Sequence, residues 1–184
     1  ESFQAQVILP VAMMTNLNLP MAGLPPHLDL PFFRGTMNRE VPAWMLAPMG
    51  YSGLFHDWAV PVASAVTWFY DGQGGEFEYW PDGPDARSAT IAGPFHNTAV
   101  LADNEYMYHR VGSFGNESDW VPPDGVPYGA RLHLERDRWI LKDGEIELNS
   151  YPWSDVRLSV LWKAFCFRTE QEANLFESDR NRLT

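Results

Sequence analysis

The chain has 184 residues, 45% of them hydrophobic and 20% charged, which suits one domain with a substantial core and argues against disorder. A net charge of −11 with only 13 Lys and Arg argues against a nucleic-acid partner or an anionic membrane surface, since both are held by concentrated cations. Cys166 is the only cysteine, so no internal disulfide is possible, and a reducing, cytoplasmic setting is expected.

Fifteen prolines and fourteen glycines cut the sequence into short segments, which reads as an all-β pattern. In chain order the strand candidates are Gln4–Met14, Pro26–Asp29, Val60–Tyr70, Glu76–Trp80, Thr98–Ala102, Tyr106–Val111, Ala130–Leu134, Trp139–Lys142, Glu145–Leu148 and Val156–Arg168. Several are rich in Val, Ile, Thr and aromatic residues, as half-buried pleated surfaces prefer. The apolar run Val7 to Met14 is too short to span a bilayer. Gly72 to Gly75 predicts one hairpin turn and Asp143-Gly144 another, because Asp-Gly suits a two-residue loop with positive φ. Pro122-Pro123-Asp124-Gly125 predicts a further turn. Trp44 to Tyr51 holds a turn, and Gln171 to Arg182 is a short C-terminal helix. Short strands at hairpin spacing imply a sandwich or a rolled barrel.

Chemistry enters with His27-Leu28-Asp29. Side chains two apart on a strand project to the same side, so His27 and Asp29 point together. A third ligand must come from elsewhere. His109 lies far along the chain, in the strand-like Tyr106-Met107-Tyr108-His109-Arg110-Val111. Two imidazoles and one carboxylate form the facial set that binds non-haem Fe(II) and leaves open positions. The other histidines, His56, His96 and His133, sit in turn-like or charged surroundings and read as structural or exposed.

In Val156 to Lys163, Arg157 and Ser159 share one strand face, while Val156, Leu158, Val160 and Trp162 share the other. A guanidinium against a core is expensive unless it meets an anion. Its fork matches a carboxylate in bidentate fashion, with a nearby serine able to donate as well. A salt bridge to one of the chain's many acidic groups is the structural alternative.

The order His27-x-Asp29, distal His109, then Arg157-x-Ser159 resembles the Fe(II)- and 2-oxoglutarate-dependent oxygenases. Gly74-Gly75-Glu76-Phe77-Glu78-Tyr79-Trp80-Pro81 and Asn97-Thr98-Ala99-Val100-Leu101-Ala102-Asp103-Asn104 are similar to that family's segments before its distal histidine. The resemblance covers roughly His27 to Phe167. It implies a mainly β fold, a double-stranded β-helix or jelly roll of cupin-like type with few short helices, over the single domain 1–184. It implies Fe(II), held by His27, Asp29 and His109, with 2-oxoglutarate and molecular oxygen as co-substrates. Arg157 and Ser159 would bind 2-oxoglutarate, with Asn97 a further contact; Arg34, Trp80 and Tyr108 would meet a small-molecule substrate such as an amino acid or secondary metabolite. Asp29 in the ligand set implies hydroxylation rather than halogenation, because its carboxylate takes the position a halide needs.

Two departures stand out. Arg157 follows His109 at a far longer interval than the family's usual short one, which predicts an inserted hairpin and makes Arg131 the substitute candidate. His27 also stands close to the start of the chain, so the usual helical lead-in is expected to be short or missing. Two other functions fit the same residues: a non-catalytic jelly-roll module that binds carbohydrate through exposed aromatics, and a cupin-type metalloenzyme independent of 2-oxoglutarate.

Overall fold

A computed structural model describes residues 3–36, 41–120 and 125–181. The fold is mainly β, with antiparallel sheets. The strands are β1 (Val7–Asn18), β2 (Leu24–His27), β3 (Val62–Phe69), β4 (Phe77–Trp80), β5 (Ala89–Ile91), β6 (Thr98–Ala102), β7 (Tyr108–Val111), β8 (Arg131–Glu135), β9 (Arg138–Asp143), β10 (Ile146–Pro152) and β11 (Arg157–Phe167). Among the described residues two α-helices, α1 (Ala43–Ser52) and α2 (Glu170–Asn181), complete the framework. None of the described helices is long and apolar enough to cross a membrane.

The strands form three sheets, in the orders β1-β11-β3-β6, β2-β7-β4-β5 and β10-β9-β8. The two four-stranded sheets face each other. Trp68 of β3 packs on Phe77 of β4 with ring centroids 5.6 Å apart, and the surrounding cluster includes Tyr70, Phe95 and Phe114. Alternation makes this possible: Val62, Ser64, Val66 and Trp68 of β3 lie on the inward face, opposite Phe165, Lys163, Leu161 and Ser159 of β11. At one end of the sandwich α2 supplies the cover, with Ala173 and Phe176 packed on Val62, Phe165 and Phe167. The α2 start is specified locally. Thr169 Oγ1 accepts from Glu172 N–H at 3.2 Å, and the Glu172 carboxylate accepts from Arg168 N–H at 2.8 Å, a variant of the capping box.

The expected hairpin insertion is larger than one hairpin. β8, β9 and β10 form their own three-stranded sheet between β7 and β11, with its own core of Leu141, Tyr151 and Val156. The predicted Asp143-Gly144 turn is displaced by one residue. Asp143 pairs with Ile146, so Gly144-Glu145 is the loop, and Gly144 takes the positive φ of 58°. Gly72 to Gly75 does not close a hairpin, because β3 and β4 lie in different sheets; it carries the chain from one to the other, with Gly74 at φ 79°, where a Cβ would lie 2.3 Å from the Ser113 carbonyl oxygen. β5 was not anticipated, Trp44 to Tyr51 is part of a full helix, and β1 runs on to Asn18. In the predicted Pro122–Gly125 turn, residues 122–124 lie outside the described residues.

Phe176 joins α2 to the sandwich through Phe165, at a centroid distance of 4.9 Å. Phe176→Ala is expected to lower the unfolding free energy by about 3–5 kcal/mol, the usual range for a buried aromatic truncated to alanine. Chemical denaturation measures this, and metal binding by the folded fraction should be unaffected.

Candidate metal centre

β2 and β7 run antiparallel, and His27 stands directly opposite His109. Their rings lie 4.4 Å apart, centroid to centroid. The pairing continues across β7 to Tyr79 of β4. Residues directly opposite one another share a face of the sheet, so both imidazoles point into the space between the sheets. Asp29 lies just past the end of β2 rather than in the strand. Its placement comes from a backbone bond, Asp29 N–H to the Asn104 carbonyl at 2.9 Å, which ties this stretch to the segment entering β7. One donor atom from each of His27, Asp29 and His109 lies within 4.8 Å of the others. Among the described residues this is the one such group of three.

The tautomers suit a metal. His27 Nδ1 lies 2.8 Å from the Pro25 carbonyl and His109 Nδ1 lies 2.9 Å from the Met107 carbonyl. A carbonyl only accepts, so each Nδ1 carries a hydrogen, and Nε2 is the atom left for a metal. Metal-binding histidines are commonly oriented in this way. Burial pulls the His109 pKa below its ordinary value, against the opposing pull of the Met107 carbonyl and Asp29, so the neutral form is favoured. His109 Nε2 stands 3.8 Å from Asp29 Oδ1.

The triad lines a cavity of about 220 Å³ together with Asn16, Asn18, Asn104, Arg157 and Ser159. Arg157 is only 4% exposed. Its guanidinium lies over Trp68 and Phe95, 5.6 and 6.0 Å from the ring centroids. Nε and Nη2 are buried without a hydrogen-bond partner, and the predicted alternative, a salt bridge from Arg157, is not found among the described residues. Burial pulls its pKa down to about 10, partly offset by Tyr70. Gly75 allows the close approach of this side chain, since a Cβ there would sit 3.1 Å from Arg157 Nε. Arg131, the substitute candidate, is exposed on β8 and does not line the cavity.

The remaining candidates are placed elsewhere. Arg34 pairs with Asp179 at 3.0 Å, stacks over Trp58 and lines a separate cavity beside α2. Asn97 is exposed, in a turn with φ 54°. Trp80 and Tyr108 are cross-strand partners. Tyr108 adjoins His109 in the strand, so the two project to opposite faces, and the Tyr108–Trp80 pair faces away from the cavity.

Several site residues were not anticipated. Lys163 lies on the same face of β11 as Arg157 and Ser159, which the alternation 157, 159, 161, 163 would have revealed. Its ammonium donates to Asp29 Oδ2 at 2.7 Å and to Glu105 Oε1. Glu105 also accepts from Ser64 Oγ at 3.4 Å, and burial pushes its carboxyl up to about 7 against the pull of Lys163. Asn16 and Asn18 pair across β1–β11 with Ser159 and Arg157; they lay beyond the predicted end of that strand. Asn104, with its buried Oδ1 unpartnered, ends the segment similar to the family's approach to its distal histidine but had no role assigned to it.

Comparison with protein-family models, curated proteins and solved structures found no match. The ligand set is therefore tested directly. Anaerobic titration with Mn(II) should show one site, and Asp29→Ala and His109→Ala should each weaken it by more than about 100-fold, since loss of even an outer-shell partner costs roughly 10–100-fold. His133→Ala, on the exposed β8, should bind as the wild type does.

Proposed function

We propose that this protein is a non-haem Fe(II)- and 2-oxoglutarate-dependent dioxygenase that hydroxylates a small molecule, on a double-stranded β-helix. The observation that carries the reading is the pairing of two features in one cavity: a His-Asp-His set of suitable donors, and a buried guanidinium with two unpartnered nitrogens. A buried cation lacking a protein anion is strongly disfavoured, and a carboxylate from a bound ligand relieves it in the geometry a guanidinium fork prefers. A ligand with one end for a metal and a carboxylate at the other fits that pairing, and 2-oxoglutarate has this form.

The strand pairings support the fold assignment. With β8–β10 taken as an insertion and β11 as the eighth strand, the sheet orders become 1-8-3-6 and 2-7-4-5. Pairs 1·8, 2·7, 3·6 and 4·5 are what results when a long antiparallel ribbon rolls into a jelly roll. In this reading the long interval between His109 and Arg157 is the length of an inserted sheet, and Arg157 retains its place on the last strand.

When bound, the iron and its co-substrates supply oxidative chemistry: 2-oxoglutarate and oxygen are converted to succinate and carbon dioxide, and one oxygen atom enters a substrate C–H bond as a hydroxyl. The protein's residues bind and orient. His27 and His109 would hold the metal through Nε2, their rings oriented by Nδ1–H bonds to backbone carbonyls. Asp29 offers Oδ1. Arg157 anchors the distal carboxylate of 2-oxoglutarate, and Ser159, beside it on the cavity wall, donates to the same group. Trp68 and Phe95 wall off water behind the guanidinium, which strengthens its hold on an anion. The cavity is smaller than the pockets that usually enclose drug-sized ligands, and so suits a small co-substrate with the main substrate at its mouth.

Anaerobic Fe(II) with 2-oxoglutarate should give a weak visible charge-transfer band in the wild type and none in the Asp29→Ala, His109→Ala double variant. Absence of the band in folded wild type overturns the assignment. Arg157→Ala should weaken 2-oxoglutarate binding by about 3 kcal/mol, roughly 100-fold, as expected for truncating one partner of a buried charge pair. Its metal affinity should stay near that of the wild type. A wild type that binds the metal but forms no succinate from 2-oxoglutarate would instead favour a cupin-type enzyme that does not use 2-oxoglutarate.

A further inference from the structure

Lys163 stands behind the cavity wall rather than in it, and it is only 6% exposed. An ammonium has three donors and no acceptor, and in a sandwich interior it needs anionic partners. Lys163 has two, each from a different part of the chain. Asp29 follows β2, and Glu105 lies in the turn entering β7. Glu105, itself tied to Ser64 on β3, gives the ammonium a second anchor that is not one of the metal ligands. The result at Asp29 is an asymmetry between its oxygens. Oδ2 is engaged by Lys163 at 2.7 Å, while Oδ1 faces His109 Nε2 at 3.8 Å.

We propose that Lys163, held by Glu105, is a positioning residue that keeps Asp29 a one-oxygen metal ligand. The inference rests on the metal-centre reading above and deepens it. A free carboxylate can bind an ion through one oxygen or both. Binding through both takes an additional coordination position, and a facial triad is useful because it leaves positions open for exchangeable ligands. By occupying Oδ2, the ammonium reserves one of those positions. It also fixes the rotation of the Asp29 carboxylate, which lies outside the regular strand. Lys163 thus acts through Asp29 and touches neither metal nor substrate.

The test counts exchangeable waters on bound Mn(II) by pulsed EPR in D₂O. In the double variant Lys163→Met, Glu105→Gln both charges are removed together, so neither is left buried alone, and replacing a buried ion pair by neutral groups of similar size is often tolerated. Mn(II) in this variant should carry one water fewer than in the wild type, as Asp29 closes onto the ion with both oxygens. An unchanged water count in folded, Mn(II)-loaded double variant overturns the proposal. A crystal structure of Mn(II)-loaded wild type decides the matter if the variant does not fold. Oδ1 alone on the ion, with Oδ2 still on Lys163 Nζ, sustains the proposal; both oxygens on the ion, with Lys163 displaced, overturns it. Wild type that binds no Mn(II) at all overturns the metal centre itself, a result distinct from either of these.

Discussion

Charge inside a two-sheet sandwich is the constraint around which this molecule is organised. Lys163, Arg157 and Glu105 all lie buried between apolar layers, where an isolated charge costs several kcal/mol even after relaxation. Two different answers to that cost are visible. Lys163 is matched by two carboxylates within the protein. Among the described residues Arg157 is matched by aromatic faces, with two nitrogens unsatisfied. The first arrangement is self-sufficient and suits a structural role. The second is incomplete without an anion, and it is found on the wall of the cavity that also contains the His-Asp-His group.

Both arrangements depend on a single strand. The inward face of β11 runs Arg157, Ser159, Leu161, Lys163, Phe165, Phe167, polar at one end and aromatic at the other. At the aromatic end α2 covers this sheet through Phe176, while the two sheets meet at the cluster of Trp68 and Phe77. At the polar end the same strand carries the cavity wall and, through Lys163, reaches the ligand carboxylate. The apolar cluster that joins the sheets therefore lies against the polar end of β11, where Trp68 pairs with Ser159 and underlies Arg157. This explains how the site can hold unsatisfied groups: the apolar end and the Trp68 cluster offset them.

Much of the strand content was legible, because β-branched and aromatic residues between Gly and Pro breaks reflect local pleat preferences. Thr98–Ala102 coincides with β6, and β3, β4, β7 and β9 differ from expectation by one or two residues at their ends. The failures have local reasons. β1 carries polar Asn16 and Asn18 where it reaches the cavity, so its pattern seemed to stop at Met14. β5 is only three residues long, too short for periodicity to register. The α1 segment contains Pro48, a helix breaker in sequence that the folded helix accommodates. At the site, Arg157 and Ser159 stood out because they interrupt an apolar strand. Lys163 interrupts the same strand, between Trp162 and Ala164, but its partners Asp29 and Glu105 are far away in sequence, and no local pattern names them.

The sequence by itself determined the residue types and their faces: two histidines and an aspartate on strand-like segments, and an arginine set on the face opposite to its apolar neighbours. Those are consequences of period-two alternation, a local property. Only the tertiary structure decided which of them meet. The register of β2 on β7 sets His27 against His109, a single backbone bond from Asp29 to Asn104 brings in the carboxylate, and the three-stranded insertion leaves Arg157 on the strand that lines the same cavity. It also separated Arg34, Asn97, Trp80 and Tyr108 from that cavity. Long-range pairing depends on which sheets stack and in what register, and no short window of sequence contains that information.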